Sequence, residues 1–134
     1  MSDVKAPRDS DNELLTDWYL HRDLPDFGKL EPAHFPAAFD LAMQDHLDEI
    51  DAIANGPTSA TFANTIEKLE HAGLRLSRTA SVFWNIASAD TNADIQALER
   101  ELSPKMSAHS TAITLNKPLF ERIAAVWHDR EALN

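Results

Sequence analysis

The chain contains no cysteine. Disulfides, thiolate nucleophiles and cysteine-ligated zinc fingers are therefore excluded. Glycine is scarce too: Gly28, Gly56 and Gly73 are the only three. They stand too far apart to build a phosphate-cradling loop or a dinucleotide fingerprint. No apolar run approaches the roughly 20 residues needed to span a bilayer. Residues Met1 to Ser10 are polar and charged, unlike a secretory signal peptide. The expectation is a soluble, cytoplasmic protein with no membrane partner.

What is present is ordinary for a globular chain. Of 134 residues, 43% are apolar and 25% charged, enough for one domain with a packed core. The net charge is −10, and a field of that sign repels the phosphates of nucleic acid. The acids are unevenly spread. Residues 1–51 hold 13 acids and 4 bases, whereas residues 52–134 hold 9 acids and 8 bases. Such an acidic half either attracts a basic partner or serves as a solvated surface.

Residues 1–30 show no sustained period and are expected to form an extended acidic arm, punctuated by Pro25 and Gly28. Leu14, Leu15, Trp18, Tyr19, Leu24, Phe27 and Leu30 are its candidate anchor points on a helical body spanning residues 31–134. A first helix is expected to start near Pro32 to Pro36 and to stop before Gly56-Pro57. Phe35, Phe39, Met43, His46/Leu47, Ile50 and Ile53 recur at steps of three and four and give it one core-facing stripe. A second helix, capped by Thr61, carries Phe62, Ile66, Leu69, Gly73, Leu76, Ala80, Phe83 and Ala87. That pattern predicts one continuous helix of about 26 residues, or roughly 39 Å. Gly73 on its stripe permits close approach of a neighbour. Near its end Trp84 and Ile86 point away from the stripe. They require cover either from the arm, through Trp18 and Tyr19, or from a part of a longer chain, in which case the fragment should self-associate weakly.

Asp90-Thr91-Asn92 supplies the next cap. The third helix carries Ile95, Leu98, Leu102, Met106, His109 and Ile113, with Pro104 expected to kink it near Glu101. Asn116 caps a fourth helix with Pro118 in its first turn and Leu119, Phe120, Ile123, Trp127 and Leu133 on its apolar face. No segment alternates with period two. The fold class is therefore all-α: a bundle of about four long antiparallel helices.

Little in the sequence promises catalysis. The six histidines are His21, His34, His46, His71, His109 and His128, and no two stand four apart, so none forms an H-E-x-x-H zinc pair. Glu67-Lys68-Leu69-Glu70-His71 has the inverted motif's shape but holds Glu67 where histidine is needed. His46 and Glu49 share a helix face, as in carboxylate-bridged metal bundles, but lack an equivalent pair elsewhere. Ser59, Ser77, Ser81, Ser88, Ser103, Ser107 and Ser110 include no G-x-S-x-G nucleophile elbow. The residues thus nominate no catalytic, cofactor-binding or metal-binding group within this chain.

Longer strings carry more. LPDFGKLEPAHFPAAFDLAMQDHLDEIDAIAN, TFANTIEKLEHAG, SVFWNIASADTNADIQALERELSPKMSAHS and ITLNKPLFERI occur in this order from about Leu24 to the C-terminus. Together they resemble the N-terminal region of the thimet-oligopeptidase-like zinc metallopeptidases, nearest to the bacterial peptidyl-dipeptidase (dipeptidyl carboxypeptidase) branch. The points of contact are Phe27, Pro32, His34-Phe35 and Phe39, then Thr61-Phe62, Asn64-Thr65-Ile66, Phe83 and Asn85. They continue through Asp90-Thr91-Asn92, Pro104-Lys105, Leu115-Asn116 and Pro118-Leu119-Phe120.

The resemblance implies a long, bilobed, mainly helical enzyme with a deep channel that admits short peptides and excludes folded proteins. It implies a single zinc on an H-E-x-x-H helix far C-terminal to the matched region, where the intervening glutamate activates the zinc-bound water. This chain has no H-E-x-x-H, so no metal or catalytic residue carries over. The expectation is an N-terminal fragment of such a peptidase, inactive alone, whose partners are the C-terminal catalytic lobe and, in the whole enzyme, zinc and short peptides. The alternative is a free-standing helical adaptor without catalysis.

Overall fold

A computed structural model describes residues 12–16 and 24–133. All regular structure among them is helical, with no strand. The α-helices are α1 (His34–Ala54), α2 (Lys68–His71), α3 (Leu74–Ala89), α4 (Ala93–Thr114) and α5 (Lys117–His128). A π-helical stretch, Phe62–Glu67, runs directly into α2, and single 3₁₀ turns occupy Glu13–Leu15, Phe27–Lys29 and Arg130–Leu133.

Helix α1 is the hub, in contact with α3, α4 and α5. Its partners fix the chain directions. Phe35 meets Phe83 and Asp45 meets Arg75, so α3 runs antiparallel to α1. Asp40 meets Lys105 and His46 meets His109, so α4 runs parallel to it. The chain thus reverses from α1 to α3 and again from α3 to α4.

The core divides in two. Phe35, Phe39 and Phe83 are at most 1% exposed and form its larger part. Phe83 stands edge-on to both partners, with centroids 5.1 Å from Phe35 and 5.7 Å from Phe39. Leu76, Ile95 and Leu102 close around them. Each such side chain contributes about 1.5–3 kcal/mol on burial. A smaller cluster joins Ile50, Ile53 and Ala54 of α1 to Leu119 of α5, with Leu69, Ile113 and Ile123 beside it.

The caps fall where the sequence puts them. Thr61 accepts from the Asn64 amide while Asn64 accepts from Thr61, a reciprocal capping box. Asn92 accepts from Ile95 N–H and Asn116 from Leu119 N–H, each satisfying an orphan donor of a first turn.

Several expectations are corrected. The second helix is not continuous: α2 ends at His71 and α3 begins at Leu74. Gly73 between them has φ +75°, a left-handed conformation that ends a helix and costs glycine nothing sterically. Close approach at Gly73 does occur, for the His46 ring lies where a side chain would begin. Helix α4 carries Pro104 in its interior, as the sequence places it. Phe62 is exposed, and so are Phe120 and Trp127, because the buried face of α5 is Leu119 and Val126, with Ile123 half-buried beside them.

The arm behaves differently from its apolar pattern. Leu14 is buried, and the buried Asn12 beside it donates to His34 O at 2.9 Å and accepts from Leu14 N–H at 3.0 Å. Leu24 and Phe27 are exposed instead of pinned. Trp18 and Tyr19 lie outside the described residues. Trp84 and Ile86 are half-buried against the chain's own core, and Trp84 stands edge-on to Phe83 at 4.9 Å. They therefore form no fully open patch.

Candidate functional site

The densest grouping of chemically versatile side chains lies where α1, α4 and the Gly73 turn meet. His46 Nδ1 and His109 Nε2 are 2.9 Å apart, joined by one hydrogen bond. His109 is 8% exposed, and His46 is half-buried. One turn further along α1, Glu49 Oε2 accepts from Gly73 N–H at 2.6 Å. The turn is thus fixed from one side by a carboxylate and packed from the other by an imidazole.

The hydrogen bond requires one imidazole nitrogen to donate and the other to accept. Burial lowers the pKa of His46 below the ordinary 6.5, against the opposing pull of the Glu49 charge. Burial also lowers that of His109, and a charge on His46 lowers it further. The pair is a hydrogen-bonded bridge between two helices, in surroundings that favour the uncharged rings.

Beside it, an open groove of about 560 Å³ runs between α1 and the Phe62–His71 stretch. Ile53 and Ala72 line its apolar part, and Glu49, Glu67, Lys68 and His71 its polar part. No serine or threonine lines it. Elsewhere the hydroxyls of Ser88, Thr111 and Thr114 donate to carbonyls one turn back, which occupies them within their own helices.

A zinc centre does not fit these residues. Among the described residues, no three histidine, aspartate or glutamate side chains stand close enough together to hold a metal ion. His46 and Glu49 share a helix face as their spacing implies, but the facing partner is a single histidine, His109. His71 lies in the groove, His34 accepts from Glu31 N–H at 3.2 Å, and His128 is exposed. His21 lies outside the described residues.

Two arrangements escaped the sequence reading. One is the His46–His109 bridge, although both residues fall on core-facing stripes. The other is Arg122, which donates to Gly56 O at 3.2 Å, Thr58 O at 2.9 Å and Asn64 Oδ1 at 3.1 Å. It locks the loop after α1 to α5. Its only prior signal is position: a basic residue next to the buried stripe of α5.

No family model matches the chain. Two curated proteins do. It is 39% identical over 124 residues to the dipeptidyl carboxypeptidase of Salmonella typhimurium, which covers 92% of this chain and 18% of that protein. It is 40% identical over 109 residues to the dipeptidyl carboxypeptidase of Escherichia coli, covering 81% of this chain and 16% of that protein. The chain thus spans less than a fifth of the curated relatives it matches. Among the described residues no helix is long and apolar enough to cross a membrane. Identity this high, held across most of an all-helical chain, makes it a homologue of the N-terminal portion of bacterial dipeptidyl carboxypeptidase.

Proposed function

We propose that this chain is the non-catalytic N-terminal helical segment of a cytoplasmic, zinc-dependent peptidyl-dipeptidase, forming part of the wall of a channel that admits short peptides. The observation that carries the reading is the 39% identity over 92% of the chain against only 18% of the relative's length. A metallopeptidase must hold a water on a metal and activate it with a base. The sequence has no H-E-x-x-H to do so, and that machinery would belong to the remainder of the parent chain.

This segment's own residues supply rigidity and exclusion. The Phe35, Phe39 and Phe83 cluster fixes α1 against α3. The Arg122 clamp and the His46–His109 bridge fix it against α5 and α4. A wall built this way keeps its shape while peptides pass.

The test is an exchange of segments. This chain replaces the matched segment of the Salmonella typhimurium relative, and release of dipeptides from the C-terminus of a short N-acylated peptide is followed. The hybrid is expected to release dipeptides, and the 134-residue chain alone to release none. A soluble, folded hybrid that releases none, or chelator-sensitive release by the chain alone, overturns the reading.

A further inference from the structure

Helix α5 is apolar on two sides and covered on one. Leu119 and Ile123 pack inward against α1, and Val126 is buried on the same side. Phe120 and Trp127, seven residues apart and so on one face, are 66% and 63% exposed. Each lies about 100° around the helix from a buried neighbour. In the turn that leads into α5, Leu115 is 76% exposed. The indole is held in place: the Arg130 guanidinium lies over it at 4.3 Å and donates to Trp127 O at 2.8 Å. A ring ordered before binding loses little rotamer freedom when covered. Aromatic rings bury about 150–250 Å² each, so two of them form a substantial core for an interdomain contact.

We propose that this outward face of α5 is the docking surface for the catalytic remainder of the parent peptidase. The proposal rests on the functional reading above. Its occupant follows from the relatives: more than four fifths of their length lies outside the matched stretch. That stretch is N-terminal in them. Alignment over 124 of 134 residues reaches into α5 whichever end is left unmatched. In the relatives most of the chain therefore follows the stretch that matches α5. A second copy of this chain is the poorer occupant, because it brings two charges of −10 together.

Hydroxyl-radical footprinting reads the exposure of these side chains directly, on the 134-residue chain and on the active hybrid. Oxidation of Phe120 and Trp127 is expected to fall several-fold in the hybrid. An active hybrid in which both stay as reactive as in the isolated chain overturns the docking surface and leaves the functional reading standing. A folded hybrid without dipeptide release overturns both. If the hybrid is insoluble, the same footprint is read on the chain mixed with the separately produced remainder of the relative, with the same expected protection. Sedimentation of the isolated chain supplies the other arm. A dimer that the Phe120→Ser/Trp127→Ser variant converts to monomer makes a second copy the occupant and overturns the proposal.

Discussion

His46 and His109, 63 residues apart in sequence, share a 2.9 Å hydrogen bond that ties α1 to α4. Both imidazoles are held below their ordinary pKa, His46 mainly by burial and His109 by burial and then by its partner's charge. The unfolded chain thus binds protons more readily than the folded one in this range.

Stability should therefore be fully present above the unfolded histidine value of about 6.5 and be lost as pH falls through and below it. The loss is bounded at about 1.4 kcal/mol per pH unit for each proton taken up. Urea titrations at pH 7.5 and 5.5 check this. His109→Gln is expected to flatten the difference, and an unchanged pH dependence in that variant would show that other groups cause it.

Gly73→Ala meets two obstacles at once. A side chain must adopt φ +75°, and its Cβ would lie 2.8 Å from the His46 ring atoms. The left-handed conformation alone costs about 1–2 kcal/mol for a residue with a side chain. The contact with a ring anchored by His109 adds to it. In the Gly73→Ala/His46→Ala double variant the cost should be smaller than the sum of the two single costs, because the clash disappears. Simple additivity in chemical denaturation would mean that the ring moves aside freely.

Arg122→Ala removes donors from Gly56 O, Thr58 O and Asn64 Oδ1 together. Hydrogen bonds to charged groups are worth about 1.5–3 kcal/mol each when well buried. The site is only partly buried, so a total loss of about 2 kcal/mol is expected. Proteolytic nicking between residues 56 and 61 should rise with it. Loss of stability without faster nicking would place the effect in α5 packing and not in the loop.

Phe83→Ala opens a cavity between the rings of Phe35 and Phe39, both within 6 Å of it by centroid. The expected cost is about 3–5 kcal/mol, a large part of a single domain's stability. Trp127→Ala, by contrast, removes a residue that is 63% exposed and should change the melting temperature of the isolated chain little. Comparable losses from the two would refute this division between core and surface.

The sequence by itself determined the helical class, the extents of α1 and α4, and the caps at Thr61, Asn92 and Asn116. These depend on local physics: amphipathic period, capping chemistry and turn residues act within a few positions of one another. It also determined the resemblance, because ordered strings survive where single motifs are weak. Tertiary structure decided the break at Gly73. A glycine on an apolar stripe fits a continuous helix as well as a left-handed stop, and the choice was made by His46 and Glu49 arriving from α1. It likewise decided which α5 stripe is buried. Leu119 and Val126 or Phe120 and Trp127 are equally apolar in sequence, and the packing of Leu119 against Ile50 and Ile53 of α1 selects the first stripe. The His46–His109 bridge and the Arg122 clamp belong to the same class. A polar group on a helix finds its partner at a distance set by how whole helices pack, and no local pattern encodes that distance.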